Sequence, residues 1–356
     1  IRDRLKKTLD ALAALDVPPA LPTDDAVGLL GLDPVVATKP KVRLQPEMRT
    51  DAATKQILLA ELALIEANER GTRDATDPEF LHEYRVAVRR TRVALSRLKG
   101  VFPAQTTERF KRELKWLGGI TGPARDLDVY LLELPAYSDC LSEEAAEQLA
   151  PLRPYLESRC EAAYEALDRA MATGRYRKLL TTWRAFLERP VPPRTNLPGG
   201  RPVGQYADEV IWKAHRKVLK EGGAIDDDTP DEAVHDLRLS CKKLRYLIEF
   251  FRTLYPQDEI KDQVKALKRL QEVLGEFNDL SVQQGSLMDT AAGMTEAGVA
   301  PLETVVALGR LVEVLGTRQR DARARFGARF AEFASDENRE RARRLFRPTP
   351  EEAPTA

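Results

Sequence analysis

Two stretches, His82 to Arg92 and His235 to Arg245, carry one chemical pattern twice. Histidine stands over histidine, Arg85 over Arg238, Arg89 over Lys242, Arg90 over Lys243 and Arg92 over Arg245. Cations at this density bind anions. Arg offers a planar fork for two phosphate oxygens, and Lys a compact point charge. A helix turns about 100° per residue. His235, Arg238, Lys242 and Arg245 therefore share one face, and His82, Arg85, Arg89 and Arg92 repeat it.

A solvated helix face ordinarily mixes signs, because opposite charges at i,i+4 attract and like charges repel. This stripe contains no acid, so its spacing costs stability unless an anion offsets it. Val86 and Val93, matched by Leu239 and Tyr246, flank it on the side away from the core, as in a groove between packed helices. A row of cations at a pitch of about 5 Å per turn can follow a chain of closely spaced phosphates. Binding of such a polyanion is expected to weaken steeply with salt. Arg112 and Lys115, matched by Lys265 and Lys268, extend the candidate site. Arg318 opens a later Arg-rich run, with Arg159 as its counterpart if the repeat takes a gap. Lys213, His215, Arg216 and Lys217 form a further basic group without a clear twin.

Both histidines follow a proline, Pro78 or Pro230, near an expected helix start. There the helix dipole disfavours imidazolium and favours a nearby anion. Each is read as a neutral donor to phosphate or as a residue orienting the neighbouring Arg; a packed or capping histidine is the ordinary alternative. No carboxylate, Cys or second His stands at i+3 or i+4 from either one, so no metal site is expected.

The positioning elements are helices. Leu, Ala, Arg and Glu dominate, and Val/Ile/Thr clusters are scarce. Leu237, Cys241, Leu244, Ile248, Phe251 and Tyr255 alternate by four and three, which marks a core stripe. Tyr84, Val88, Leu95, Leu98 and Phe102 mark another. The repeat holds at an offset of 153 without a gap from His82 to Asp126-Leu127, over His235 to Asp279-Leu280. The chain thus reads as a tandem duplication. Helices are expected near 51–70, 78–101, 105–119, 124–134, 143–173 and 175–188, then near 205–221, 231–254, 258–275, 278–290, 299–334 and 337–346. Thr50 is the expected cap of the first of these. The predicted fold is all-α: a tandem-duplicated pair of antiparallel helical bundles with internal pseudo-two-fold symmetry around a basic central cavity. Residues 40–192 form one bundle and 193–347 the other, with a break at the Pro/Gly-rich 190–200. Residues 1–39, with a short helix over 1–16, are expected to be a linker or the tail of an upstream domain, and 348–356 a disordered tail.

Bulk composition decides less. The net charge of zero predicts no polyanion partner by itself, so placement must. From His82 to Arg125 there are eleven Lys/Arg against three acids, and an acidic stretch follows. Three scattered cysteines argue against a disulfide scaffold and lead to the expectation of a cytoplasmic protein. No apolar run spans a bilayer. The initial Ile leads to the expectation that a segment lies upstream.

The motifs His82-x-x-Arg85-x-x-x-Arg89-Arg90-x-Arg92 and His235-x-x-Arg238-x-x-x-Lys242-Lys243-x-Arg245, each followed by Leu-Lys…Leu…Gly…Asp-Leu, resemble those of the CHAD family, the conserved-histidine α-helical domains. The resemblance covers roughly residues 40–347. It implies two helical bundles around a basic cavity, inorganic polyphosphate as ligand and association with polyphosphate granules. It also implies a frequent upstream neighbour, a CYTH domain, whose Glu-x-Glu-x-Lys signature is absent here. The histidine role carries over to His82 and His235, and the basic cavity to Arg85, Arg89, Arg92, Lys115, Arg238, Lys242, Arg245 and Lys268.

Three function classes stay open. The first is non-catalytic polyphosphate binding, with no cofactor and no catalytic residue. The second is an enzyme or accessory domain of polyphosphate or triphosphate metabolism; the sequence shows no Walker-type loop, no acidic cluster facing the stripe and no nucleophile paired to a base. The third is nucleic-acid binding, which the 6% aromatic content and lack of a stacking pattern disfavour.

Overall fold

The computed structural model describes residues 35–37, 42–193, 195–226 and 228–348. Its α-helices are α1 (Thr50–Arg73), α2 (Pro78–Arg97), α3 (Ala104–Ile120), α4 (Gly122–Ser138), α5 (Glu143–Glu147), α6 (Leu152–Met171), α7 (Gly174–Glu188), α8 (Val203–Gly222), α9 (Asp231–Phe251), α10 (Gln257–Glu296), α11 (Leu302–Phe333) and α12 (Asp336–Phe346). Among the described residues, extended pairing is confined to the bridge between Arg49 and Pro202. The fold is all-α, as the composition implies.

Local chemistry sets several helix ends. The Asp77 side chain accepts the Glu79 N–H at 2.7 Å, and Pro78 occupies the first turn of α2, where no N–H is needed. Thr173 and Ser335 cap α7 and α12. Thr50 does not cap α1. Its hydroxyl instead donates to the Arg201 carbonyl at 2.9 Å, tying the start of α1 to the start of α8.

Both apolar stripes lie in the core. Leu237, Cys241, Leu244, Ile248 and Phe251 are fully buried on α9, and Tyr84, Val88 and Leu95 are buried on α2. α1 packs on α2, α2 on α3, α3 on α7 and α7 on α1, which closes a four-helix ring. α8, α9, α10 and α12 close a second ring in the same way. Phe110, Trp183 and Phe186 cluster inside the first, while Tyr255 meets Phe346 edge-on in the second. A separate apolar cluster joins Tyr130, Leu134, Leu152 and Leu156 to Leu280, Leu287, Leu308 and Leu311. The ends of α4 and α6 thus pack against α10 and α11.

The starts of α1, α2 and α3 recur at α8, α9 and α10 with the same offset of 153. The halves differ at one turn. α3 ends at Ile120 and α4 begins at Gly122, whereas α10 runs unbroken for 40 residues, replacing the two helices expected over 258–275 and 278–290. Pro123 explains the break, since it lacks the N–H that a continuous helix needs. The matching residue is Glu276, and Gly275 alone does not stop a helix. The single helix expected over 143–173 is instead divided into α5 and α6, separated by a turn through Pro151.

The expected helix over 1–16 and the tail from residue 349 lie outside the described residues. Of the expected linker, Ala37 is tied to α1: its N–H donates to Asn68 Oδ1 and its carbonyl accepts from Asn68 Nδ2, each at 3.2 Å. The expected boundary at 192/193 falls in the segment between α7 and α8. No described helix is long and apolar enough to cross a membrane.

Candidate polyanion groove

α2 packs on α9, and this contact brings cations of the two motifs together. Arg89 Nε donates to the Tyr246 hydroxyl at 3.0 Å. Lys242, one turn before Tyr246, is half-buried. Burial first, then the charges of Arg238 and Arg89, depress its ammonium to about 8, with Asp279 opposing and Arg245 adding to the effect. Arg89 from one motif and Arg238, Lys242 and Arg245 from the other therefore share one electrostatic neighbourhood.

Arg85 is held deeper. Its guanidinium donates to the Gly118 carbonyl at 3.1 Å and to Thr121 Oγ1 at 2.8 Å. Burial lowers its pKa against the opposing charge of Asp126, and Arg89, Arg125 and Arg92 add to the lowering. A guanidinium still stays charged at any ordinary pH. A Cβ on Gly118 would lie 2.9 Å from an Arg92 nitrogen. The missing side chain there lets Arg85 and Arg92 both approach the end of α3.

Arg90 leaves the stripe. It is 6% exposed, turned inward by one helix step. It pairs with Glu61 at 2.6 Å and, through its other nitrogen, with Glu249. Its guanidinium also lies 4.9 Å from the Phe250 ring centroid. Two carboxylates already offset its charge, so it is a fastening between α1, α2 and α9 rather than a ligand residue. Lys243 leaves the stripe as well. Burial lowers its pKa, and its nearest like charges are Arg97 and Lys217, with Glu221 and Asp236 opposing. That places it toward α8, on a different side of α9 from Lys242.

The stripe is free of acid in sequence but not in space. Arg238 pairs with Asp279 at 2.8 Å, and Arg245 lies 3.6 Å from Glu249. Asp126, at the place matching Asp279, bears on Arg85 in the same sense. Asn278 Nδ2 donates to Asp279 at 3.3 Å, and its Oδ1 faces His235 Nδ1. With that amide orientation Nδ1 carries the hydrogen. The Nδ1 edge of His235 is thus engaged by Asn278, which orients the imidazole against α10.

His82 is half-buried. Burial first, then Arg125, lowers its pKa, while Glu79 and Glu83 oppose. Glu79, His82 and Glu83 each bring one ligand-capable atom within 4.8 Å of the others. The expectation of no metal at this histidine rested on positions i+3 and i+4, whereas these carboxylates stand at i−3 and i+1.

The remaining candidates are dispersed. Arg112 and Lys115 are exposed on α3, and Lys265 and Lys268 are exposed on α10. These helices pack beside α2 and α9, and Arg112 lies 3.9 Å from Glu113. Arg318 lines a pocket between α4, α10 and α11 with Glu133, Glu276 and Asp279, and donates to Cys140 Sγ at 3.3 Å. Asp279, which pairs with Arg238, belongs both to that pocket and to the stripe, so Arg318 stands beside the cationic group across a carboxylate. Sequence reasoning missed Arg125, Tyr246 and Asn278 as site residues. Asp126 and Asp279 were visible as matched positions, but their contacts with the stripe were not.

A sequence model described as the CHAD domain matches residues 56–288. The CHAD domain of the plant Ricinus communis has a similar structure: TM-score 0.69 at 27% identity, covering 83% of this chain and 96% of that one. PptA from Streptomyces chartreusis shares the fold, with TM-score 0.62 at 19% identity over 80% of this chain and 99% of that one. The uncharacterised Mycobacterium tuberculosis proteins MT2285 and Rv2226 are each 25% identical over 228 residues, which is 62% of this chain and 42% of theirs. The chain therefore spans less than half the length of these curated relatives.

Proposed function

Because the chain belongs to the CHAD domain family, we propose that the groove between α2 and α9 binds inorganic polyphosphate without turning it over. The observation that carries this reading is the convergence of Arg89 with Arg238, Lys242 and Arg245, cations from both motifs. Crowding of this kind is unfavourable in the empty protein and is relieved by a multiply charged ligand. A linear phosphate chain supplies one charge at each short step, which suits cations at helical pitch. The pseudo-two-fold relation of the rings around a central basic cavity, and recruitment to polyphosphate granules, belong to the same proposal.

Competition tests it. Labelled long-chain polyphosphate is bound, then challenged with DNA, RNA, ATP and pyrophosphate at equal phosphate concentration, with released phosphate assayed alongside. Only unlabelled polyphosphate should displace the label efficiently, and no phosphate should be released. Displacement by short DNA would overturn the ligand assignment, and steady phosphate release would establish an enzyme instead.

A further inference from the structure

Arg238 is an enclosed cation of the second stripe; its side chain is 12% exposed, while that of its partner Asp279 is 59% exposed. The pair is therefore a sheltered guanidinium facing a solvated carboxylate. Asp279 also accepts from Asn278 and opposes the depression of Lys242. One carboxylate thus contacts Arg238 and bears on the charge of Lys242, two of the groups that a phosphate would seek. The Arg238 Nε is buried and makes no hydrogen bond among the described residues. The fork is only partly satisfied by its resident partner.

We propose that Asp279 is a resident anion occupying the phosphate seat at Arg238, so that ligand binding there is an exchange of phosphate for carboxylate. Asp126 stands at the matching position and bears on Arg85 in the same sense, although Arg85 is additionally held by Gly118 and Thr121. This inference rests on the polyphosphate reading of the groove. Its consequence is a threshold. An anion with one or two charges gains little by replacing a carboxylate that is already in place. A long chain makes the same exchange while also engaging Lys242, Arg89 and Arg245, so the cost is spread over many contacts. The aspartates then belong to discrimination against small anions, and not to the affinity itself.

The test is a double-substitution cycle on the full chain, with long-chain polyphosphate and tripolyphosphate titrated separately. D279N keeps the side-chain shape and removes the charge. It should tighten binding of tripolyphosphate by about three- to tenfold, the size expected of a partly solvated charge contact, and that of long-chain polyphosphate by a smaller factor. It should also steepen the dependence of affinity on salt, because Arg238 then faces the ligand unneutralised. R238Q should weaken binding, and in the R238Q background the gain from D279N should vanish. Unchanged or weaker binding by folded D279N, confirmed by its circular dichroism, would show that Asp279 merely positions Arg238 and would overturn the exchange. A gain that persists in R238Q would overturn it too, since the charge would then act on the groove as a whole. If the unsubstituted protein binds neither ligand, the polyphosphate reading fails and the exchange falls with it.

Discussion

Arg89 on α2 and Tyr246 on α9 are joined by one hydrogen bond of 3.0 Å, so a cation of the first motif is aimed by the residue that follows the second. Tyr246 is 3% exposed, and its ring also lies 5.6 Å from the Arg245 guanidinium. Tyr246→Phe keeps the ring and removes the acceptor. The expected loss of stability is about 1 kcal/mol, the typical worth of such a bond, measured by urea unfolding. Polyphosphate affinity should fall less than in Arg89→Gln, because the cation remains and only its aim is lost.

Adjacent arginines should behave oppositely. Arg90→Met removes the cation that bridges Glu61 and Glu249, and breaking this buried contact is expected to cost about 3 kcal/mol. Its thermal midpoint should drop sharply. Arg89→Glu and Lys242→Glu should retain helicity and a near-normal midpoint while abolishing polyphosphate binding. If the Arg89 and Lys242 substitutions unfold the protein instead, the stripe is structural and the groove loses its assignment.

Lys242 gives the groove a pH signature. Its ammonium, depressed to about 8 in the empty site by burial and neighbouring cations, would be raised by a bound anion. Binding should therefore be strongest below pH 8 and weaken as pH rises through and beyond it, with proton uptake on binding in that window. Lys242→Arg should flatten the dependence, since guanidinium keeps its proton. Calorimetry in buffers of different ionisation enthalpy measures the proton count directly.

His215 predicts acid sensitivity of the fold. It is 1% exposed, stacks on Trp212 with ring centroids 6.0 Å apart, and its two ring nitrogens make no hydrogen bond among the described residues. Burial lowers its pKa from 6.5 to about 4. The unfolded chain then binds the extra proton between those values. Stability is full above pH 6.5 and falls as pH drops toward 4, by at most about 3 kcal/mol from this group. Half-buried carboxyls such as Asp208, raised by desolvation, act in the opposite direction, so the difference from His215→Phe isolates the histidine. That variant should be more stable than the parent, and its advantage should grow through this window.

Much of the scaffold was legible because helical periodicity is local. Steps of three and four from Leu237 to Tyr255 identified residues that are all buried in α9 or just beyond it. The offset between His82 and His235 anticipated the starts of whole helices. The site was legible only as far as one helix face extends. Arg89 and Arg90 are neighbours in the chain, and nothing local distinguishes the one bonded to Tyr246 from the one clasped by Glu61 and Glu249. Those acids are distant in sequence, as Asp279 is from Arg238. Charge balance along the stripe is set by tertiary contacts that a single helix pattern does not contain.

The unbroken α10 has a mechanical consequence. At 1.5 Å per residue its 40 residues form a rod roughly 60 Å long. One end lies in the second ring with Ile260 and Leu267, and the other in the separate apolar cluster with Leu287 and Met294. No joint divides the two regions, so melting either one strips packing from the same helix. In the first half, the break at Thr121 lets α4 detach while α3 keeps its backbone ladder. Amide exchange should then proceed by independent opening in α4 and by shared, slower opening along α10, making the two halves unequal in cooperativity although they repeat the same motif.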